Sequence, residues 1–357
     1  MKILAYGDVH VHNFPEFSKL NSEGYSSRVE LAVKSLRYVL DYAVENRIEH
    51  VINLGDIVEQ SKTINTVIGG LLSEVLGDSK YSKLKHYFIV GNHDQVDRQQ
   101  NHHVANLYRK CFTEVISCPD FYTKEESNYL EIDGYRIVFL PYTEEYSVFV
   151  DILNSISTEY RKKTLVFGHW SIDGVRFSED YPTESKIKQI LFDQFKLVVM
   201  GHIHLRQKLS NNIVYPGSLL SHSFKDCSGD KGFLVFDTET GTHELLNNPH
   251  SPKFHVMEIS SMDDFNLIKQ SDTDFYRLKI KYDEIYKYKD MIESMSNISV
   301  SPDSSVKEAE VRIKTEDGIN EEDLILNYTA YQNESKPKTT SRYGRALLSS
   351  SVLGGAK

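Results

Sequence analysis

Short apolar runs that stop abruptly at a glycine set the rhythm of this chain. Lys2 to Tyr6, Val51 to Leu54 and the run ending at Val90 are each too short for a helix and are closed by Gly7, Gly55 and Gly91, so they read as strands. Between the first two, Val29, Ala32, Val33, Leu36, Val39, Leu40 and Ala43 recur at helical spacing behind Ser27-Arg28-Val29-Glu30, which reads as a capping box. Strands alternating with helices predict parallel βαβ units. Further on, Tyr129 to Ile132 and Tyr135 to Leu140 flank Asp133-Gly134, a hairpin signal. Leu197 to Met200 is another buried strand, and Gly232 to Glu244 a strand pair. The pattern predicts an α/β fold: a two-sheet sandwich flanked by helices.

From about Pro252 the pattern changes. Strands at Phe254 to Ile259, Tyr276 to Tyr282 and Glu310 to Lys314, with a helix near Asp283 to Ser294, predict a small C-terminal α/β cap. The expected organisation is a main domain over 1–250, a cap over 251–318, a short helix able to dock a partner over 319–334, and a disordered tail over 335–357. That tail holds Lys336, Lys338, Arg342, Arg345 and Lys357, no acidic residue and many serines.

The strand ends carry the chemistry. Gly7-Asp8-Val9-His10, Gly55-Asp56-Ile57-Val58-Glu59, Gly91-Asn92-His93-Asp94, Gly168-His169 and Gly201-His202-Ile203-His204 supply carboxylates, an amide and imidazoles in a fixed order. Hydrolysis of a phosphate ester needs a hydroxide and a sink for charge on the attacking and leaving oxygens, which two divalent ions about 3.5–4 Å apart provide. Asp56, with two oxygens at a strand end, is the natural bridge between them. The i, i+2 spacing of Asp8 with His10, and of His202 with His204, is expected to point each pair to one face of its strand. The donors are oxygen and imidazole nitrogen without thiolate, which suits manganese, iron, zinc or magnesium and argues against a structural zinc site.

These five motifs, spanning about residues 1–245, resemble the calcineurin-like metallophosphoesterase superfamily. The Tyr215-Pro216-Gly217-Ser218 turn, the strand pair after it and the α/β tail are similar to SbcD-type recombination-repair nucleases, the group that includes the meiotic-recombination-eleven nuclease and its phage counterparts. The resemblance implies the metallophosphoesterase fold, with one metal on Asp8, His10, Asp56 and His204 and the other on Asp56, Asn92, His169 and His202. It implies that His93 lies beside the scissile phosphate as a catalytic group, oriented by Asp94. It further implies two divalent ions, manganese first and magnesium as the alternative, and a DNA exonuclease or endonuclease working in recombination or double-strand break processing. An SbcC-type coiled-coil ATPase would be the partner, docked through Leu324, Ile325, Leu326 and Tyr328. The cap would contact DNA, and helices in the 62–76 and 101–111 region would form a homodimer. The alternative is a metallophosphatase or nucleotide phosphodiesterase acting on a small or protein substrate. Protein phosphatases of the superfamily usually carry Asp-Arg-Gly where this chain has Val58-Glu59-Gln60.

Composition modifies this picture only at the edges. The formal charge of −10 disfavours a broad electrostatic DNA footprint, so local cations matter, and Lys62, Arg98, Arg206 and Lys208 lie near ligands in sequence. At 357 residues and 40% hydrophobic content the chain can bury a large core. No run approaches the roughly 20 apolar residues of a membrane span, no signal peptide is expected before the first strand, and Cys111, Cys118 and Cys227 form no paired framework. These features predict a cytoplasmic protein, in the host cytoplasm if viral.

Overall fold

The computed structural model describes residues 1–97, 102–117, 129–177, 182–226 and 229–303. Arg98, Cys118, Cys227, the expected strand at 310–314, the docking residues Leu324, Ile325, Leu326 and Tyr328, and the tail 335–357 lie outside the described residues.

The first sheet contains β1 (Lys2–Tyr6), β2 (His50–Asn53), β3 (Lys85–Ile89) and β4 (Glu114–Ile116), all parallel, followed on the other side of β1 by the antiparallel pair β11 (Gly232–Asp237) and β12 (Thr242–Asn247). The second sheet runs β5-β6-β7-β8-β10-β9, made of β5 (Tyr129–Ile132), β6 (Tyr135–Leu140), β7 (Thr164–His169), β8 (Leu197–Gly201), β10 (Ile213–Tyr215) and β9 (Gln207–Lys208). The β5–β6 hairpin turns at Asp133 (φ 51°) and Gly134 (φ 79°), the backbone a two-residue hairpin needs.

Alternation explains why the strands are apolar on both faces. Ile3, Ala5, Ile52, Leu54 and Ile89 of the first sheet meet Ile137, Phe139, Leu165, Phe167 and Val199 of the second in the central core. The neighbours Leu4, Tyr6, Val51 and Phe88 face the other way, onto Leu36, Val39 and Leu40 of α1 (Ser27–Glu45) and Leu72 and Val75 of α2 (Thr66–Leu76). Val138, Val166, Val198 and Tyr215 do the same on the second sheet, against Phe149, Leu153 and Phe192. The result is the expected helix-flanked sandwich, whose strands are buried on both faces.

Local details differ from expectation. The cap of α1 is Ser26, whose Oγ accepts from Val29 N at 3.4 Å, while Glu30 accepts from Asn21 instead of closing a capping box. The 62–76 stripe becomes α2, capped by the Asn65 side chain. Its residues Ile68, Leu72, Val75 and Leu76 are buried with α1 and with the 3₁₀ helix Val104–Cys111, leaving Val67 and Leu107 exposed. The helix expected over 283–294 is a 3₁₀ turn, Tyr282–Tyr288, and a short α-helix, Lys289–Ser294. Ile285 and Tyr288 are the inward-facing residues of that turn, three apart, which matches the 3₁₀ repeat.

The third sheet, β13 (Lys253–Ile259), β14 (Asp274–Lys281) and β15 (Ile298–Asp303), is joined to the body by Phe17, Phe224, Phe254 and Phe275. The buried Arg28 guanidinium lies 5.1 Å from the Phe254 ring and 5.6 Å from Phe275, and donates to the His222 carbonyl at 2.8 Å. Among the described residues no helix is long and apolar enough to cross a membrane.

One buried histidine makes the fold acid-sensitive. His86 on β3 meets Tyr6 Oη at 3.0 Å, and burial lowers its pKa from 6.5 to about 3. The unfolded chain therefore takes up a proton between those values that the folded chain refuses. This contribution to stability is intact above pH 6.5 and is lost as the pH falls toward 3, with a limiting slope of about 1.4 kcal/mol per pH unit. Urea unfolding of chelator-treated protein between pH 7 and 4.5 is expected to show a shallower acid decline in His86→Gln than in the wild type; parallel declines would refute the assignment.

Candidate metal centre

The expected ligands sit at strand ends: His169 is the last residue of β7, and the others lie just past their strands. Asp8, His10, Asp56 and His202 all have left-handed backbones, with φ of 53°, 45°, 54° and 80°. Strand alternation therefore does not account for the shared direction of Asp8 and His10 or of His202 and His204. Left-handed turns do. Such conformations cost about 1–3 kcal/mol each and persist only where surrounding bonds fix them. Here Asp8 N donates to Gly55 O at 2.9 Å, His10 N to Asp56 O at 3.0 Å, and His202 N to Asp8 Oδ1 at 2.9 Å. Glycine is required where the loops touch: a Cβ on Gly91 would land on the Asp56 carboxylate, and one on Gly55, itself at φ 107°, would fall 2.7 Å from His169 Nδ1.

Asp94 has a different task from the one expected. Its oxygens accept from the backbone N–H groups of Gly91 at 2.9 Å, Asp56 at 2.7 Å and Ile57 at 3.0 Å, which ties the β3 loop to the β2 loop. Burial and the adjacent Asp56 charge push its pKa up to about 7, against donors that favour the carboxylate. The His93 ring is held elsewhere: its Nδ1 lies 2.8 Å from Glu59 O, and its backbone N–H donates to Asp56 Oδ1 at 2.8 Å.

The expected ligands converge in two groups, Asp8 with His10 and His204, and Asp56 with His169 and His202. Asp56 Oδ2 lies between them, 3.7 Å from His10 Nε2 and 3.2 Å from His169 Nε2. Asn92 Oδ1 lies 3.0 Å from His169 Nε2 and 2.8 Å from His202 Nδ1. His10 Nε2 and His204 Nε2 face each other at 3.1 Å. Burial alone would raise the Asp56 pKa, but the His169, His10 and His93 imidazoles hold it far below the carboxylate range. His169 is the mirror case: burial opposes its charge, yet Asp56 raises it to about 9. Converging nitrogens and carboxylate oxygens around a buried anion fit divalent cations.

The charged residues near the ligands separate. Arg206 is committed to structure, donating to Pro216 O at 3.1 Å, Asn247 Oδ1 at 2.6 Å and Leu246 O at 2.8 Å, so its expected role toward a phosphate backbone is not supported. Lys62 and Lys208 are exposed.

Several neighbours of the centre escape a reading by motif. Glu59 Oε2 lies 2.8 Å from His10 Nδ1, although its place in the second motif is a signal. His222 Nε2 donates to Asp8 O at 3.0 Å. Asp226, paired with the buried Lys231, lies 3.6 Å from His204 Nδ1. Tyr142 and the exposed Phe177 flank the His202 ring at centroid distances of 5.9 and 6.2 Å. None of these last residues follows a periodic or motif pattern.

Residues 1–206 match the calcineurin-like phosphoesterase family. The chain belongs to it. Among relatives, exonuclease subunit 1 of Enterobacteria phage T4 is 22% identical over 323 residues, covering 87% of this chain and 89% of the phage protein. The D component of the SbcCD nuclease of Staphylococcus epidermidis is 25% identical over 260 residues, covering 65% of each. A solved dimetal phosphatase from Danio rerio aligns with 12% identity and a TM-score of 0.37, covering 66% of this chain and 91% of that one. Membership makes the chain a metal-dependent phosphoesterase, and the two His/Asp groups are its candidate divalent sites.

Because Asp56 faces both groups, Asp56→Asn is expected to weaken both metal positions, whereas His10→Ala should damage chiefly one. Metal content by mass spectrometry checks this; two ions per chain retained in Asp56→Asn would overturn the arrangement.

Proposed function

We propose that this phosphoesterase is a two-metal DNA nuclease, the nuclease subunit of an SbcC/SbcD-type complex acting in recombination or double-strand break processing. The observation that carries the reading is the Asp56 carboxylate, set between two imidazole groups with His93 on its open side. Asp8, His10, Asp56 and His204 would hold one ion and Asp56, Asn92, His169 and His202 the other. Bound ions, manganese in this reading, would supply an activated water and neutralise charge developing on the phosphate.

This chain's own residues do the rest. Asp94 fixes the β2 and β3 loops at the spacing the carboxylate bridge needs. The Glu59 carbonyl accepts a hydrogen bond from His93 Nδ1–H, so that Nε2 is the nitrogen that would carry a second proton to the substrate. With a side chain 37% exposed, that imidazole is reachable by a phosphodiester and suited to protonate the leaving oxygen. Exposed Lys62 and Lys208 are available to a nucleic-acid backbone, and Arg98 is kept with them as a candidate. The names of the phage and staphylococcal relatives, an exonuclease subunit and a nuclease subunit, favour a nucleic acid over a small substrate. Val67 and Leu107, exposed on neighbouring helical segments, support a homodimer contact in the 62–76 and 101–111 region.

Labelled duplex and single-stranded DNA incubated with the protein and manganese, beside a small phosphodiester reporter, test the reading. Cleavage of both DNA and reporter is expected, and reporter turnover without DNA cleavage would favour a nucleotide phosphodiesterase. His93→Ala should keep both ions and DNA affinity while losing about 10²–10⁴-fold in rate; loss of metal would make His93 a ligand.

The partner is tested separately. A chain ending at Asn320, without Leu324, Ile325, Leu326 and Tyr328, is expected to retain manganese-dependent cleavage of accessible ends yet lose association with an SbcC-type ATPase and the response to ATP. Unchanged ATP-stimulated cleavage would place the docking residues elsewhere.

A further inference from the structure

The candidate ligand imidazoles are not backed alike. His10 turns Nδ1 to the Glu59 carboxylate at 2.8 Å, and His204 turns Nδ1 toward the Asp226 carboxylate at 3.6 Å. His169 instead donates Nδ1 to the neutral Leu54 carbonyl at 2.8 Å, and His202 presents Nδ1 itself to Asn92 Oδ1. Among the described residues, both carboxylate-backed imidazoles therefore fall in the Asp8, His10, His204 group. The other group has an amide, Asn92, where the first has the carboxylate Asp8.

A negative charge within ion-pairing distance of an imidazole makes its ligating nitrogen a better donor. It also lowers the local potential felt by a dication. Asp226 is itself held: Lys231 Nζ pairs with its Oδ1 and donates to His204 O at 2.7 Å, while its Oδ2 accepts from His222 N at 3.1 Å. The ammonium fixes Asp226 beside His204 and His222, with which it forms a further His/Asp cluster. Glu59, with its side chain only 32% exposed, lies 2.8 Å from His10 and 3.9 Å from His93 Nδ1.

We propose that the two metal positions are graded, the Asp8 side binding its ion first and more tightly because Glu59 and Asp226 stand behind His10 and His204. Glu59 and Asp226 are positioning residues: they act through imidazoles. This inference rests on the ligand assignment of the preceding section and adds an order of filling.

Titration calorimetry of the chelator-stripped full-length chain with manganous chloride, with bound metal counted by mass spectrometry, tests it. Two unequal classes are expected, the tighter one surviving in Asn92→Ala and absent in His10→Ala. Glu59→Gln should weaken the tighter class by about 10–100-fold and leave the weaker one unchanged, and Glu59→Asp should restore part of the loss. Asp226→Asn should behave the same way. Because it strands the Lys231 ammonium, the paired Asp226→Asn/Lys231→Met variant is titrated beside it and is expected to show the same selective loss. Equal classes in the wild type, no loss in Glu59→Gln, or a loss falling on both classes alike would overturn the grading while leaving two ions per chain. A wild-type chain that takes up no manganese would overturn the two-ion assignment itself, and the grading with it.

Discussion

A buried carboxylate that must stay charged governs this structure. Asp56 is almost wholly withdrawn from water, and its oxygens answer to His10, His169 and the backbone of His93 at once. An anion in such a place is tolerable only if positive charge is delivered to it from several directions. The two sheets satisfy that demand: β1 and β2 bring Asp8, His10 and Asp56 from one, β7 and β8 bring His169, His202 and His204 from the other. The sandwich is thus more than a scaffold; its closure assembles the charge balance.

The backbone reflects the same constraint. Left-handed residues in the β1, β2 and β8 loops are held by cross-loop hydrogen bonds in which carboxylates accept from N–H groups, Asp94 from those of Asp56 and Ile57 and Asp8 from that of His202. Acidic side chains serve here as staples, and Asp8 is at once a staple and a candidate ligand.

Much of this is legible in the sequence, for a definite reason. Strands buried on two faces must be continuously apolar, so Val51 to Leu54 and Leu197 to Met200 announce themselves, and a polar residue directly after such a run has few roles other than the site. What is not legible depends on contacts far apart in the chain. His222 reaches Asp8 across 214 residues, and no local spacing foretells it. The resemblance makes Asp94 the partner of His93, yet its partners are the N–H groups of Gly91 in its own loop and of Asp56 and Ile57 in another. Arg206 reads as available because it is charged and near His204 in sequence, but its guanidinium spans the Pro216 carbonyl of the turn and the Leu246 carbonyl and Asn247 amide of β12. The left-handed turns at Asp8 and Asp56 are invisible for a simpler reason: neither is glycine, and the strain is carried by neighbours.

The placement of ligands on both sheets also couples ion binding to folding. No stretch of the chain shorter than that from Asp8 to His204 contains the donors of the Asp8 side, so an ion meeting the newly made polypeptide finds only isolated pairs such as His202 and His204. Long-range pairing of this kind is slow to form, and a site absent from the unfolded chain makes ion binding favour the folded state. An ion held by these residues would therefore meet an edge that the apolar core has brought together, and its binding would weigh on the folded state alone.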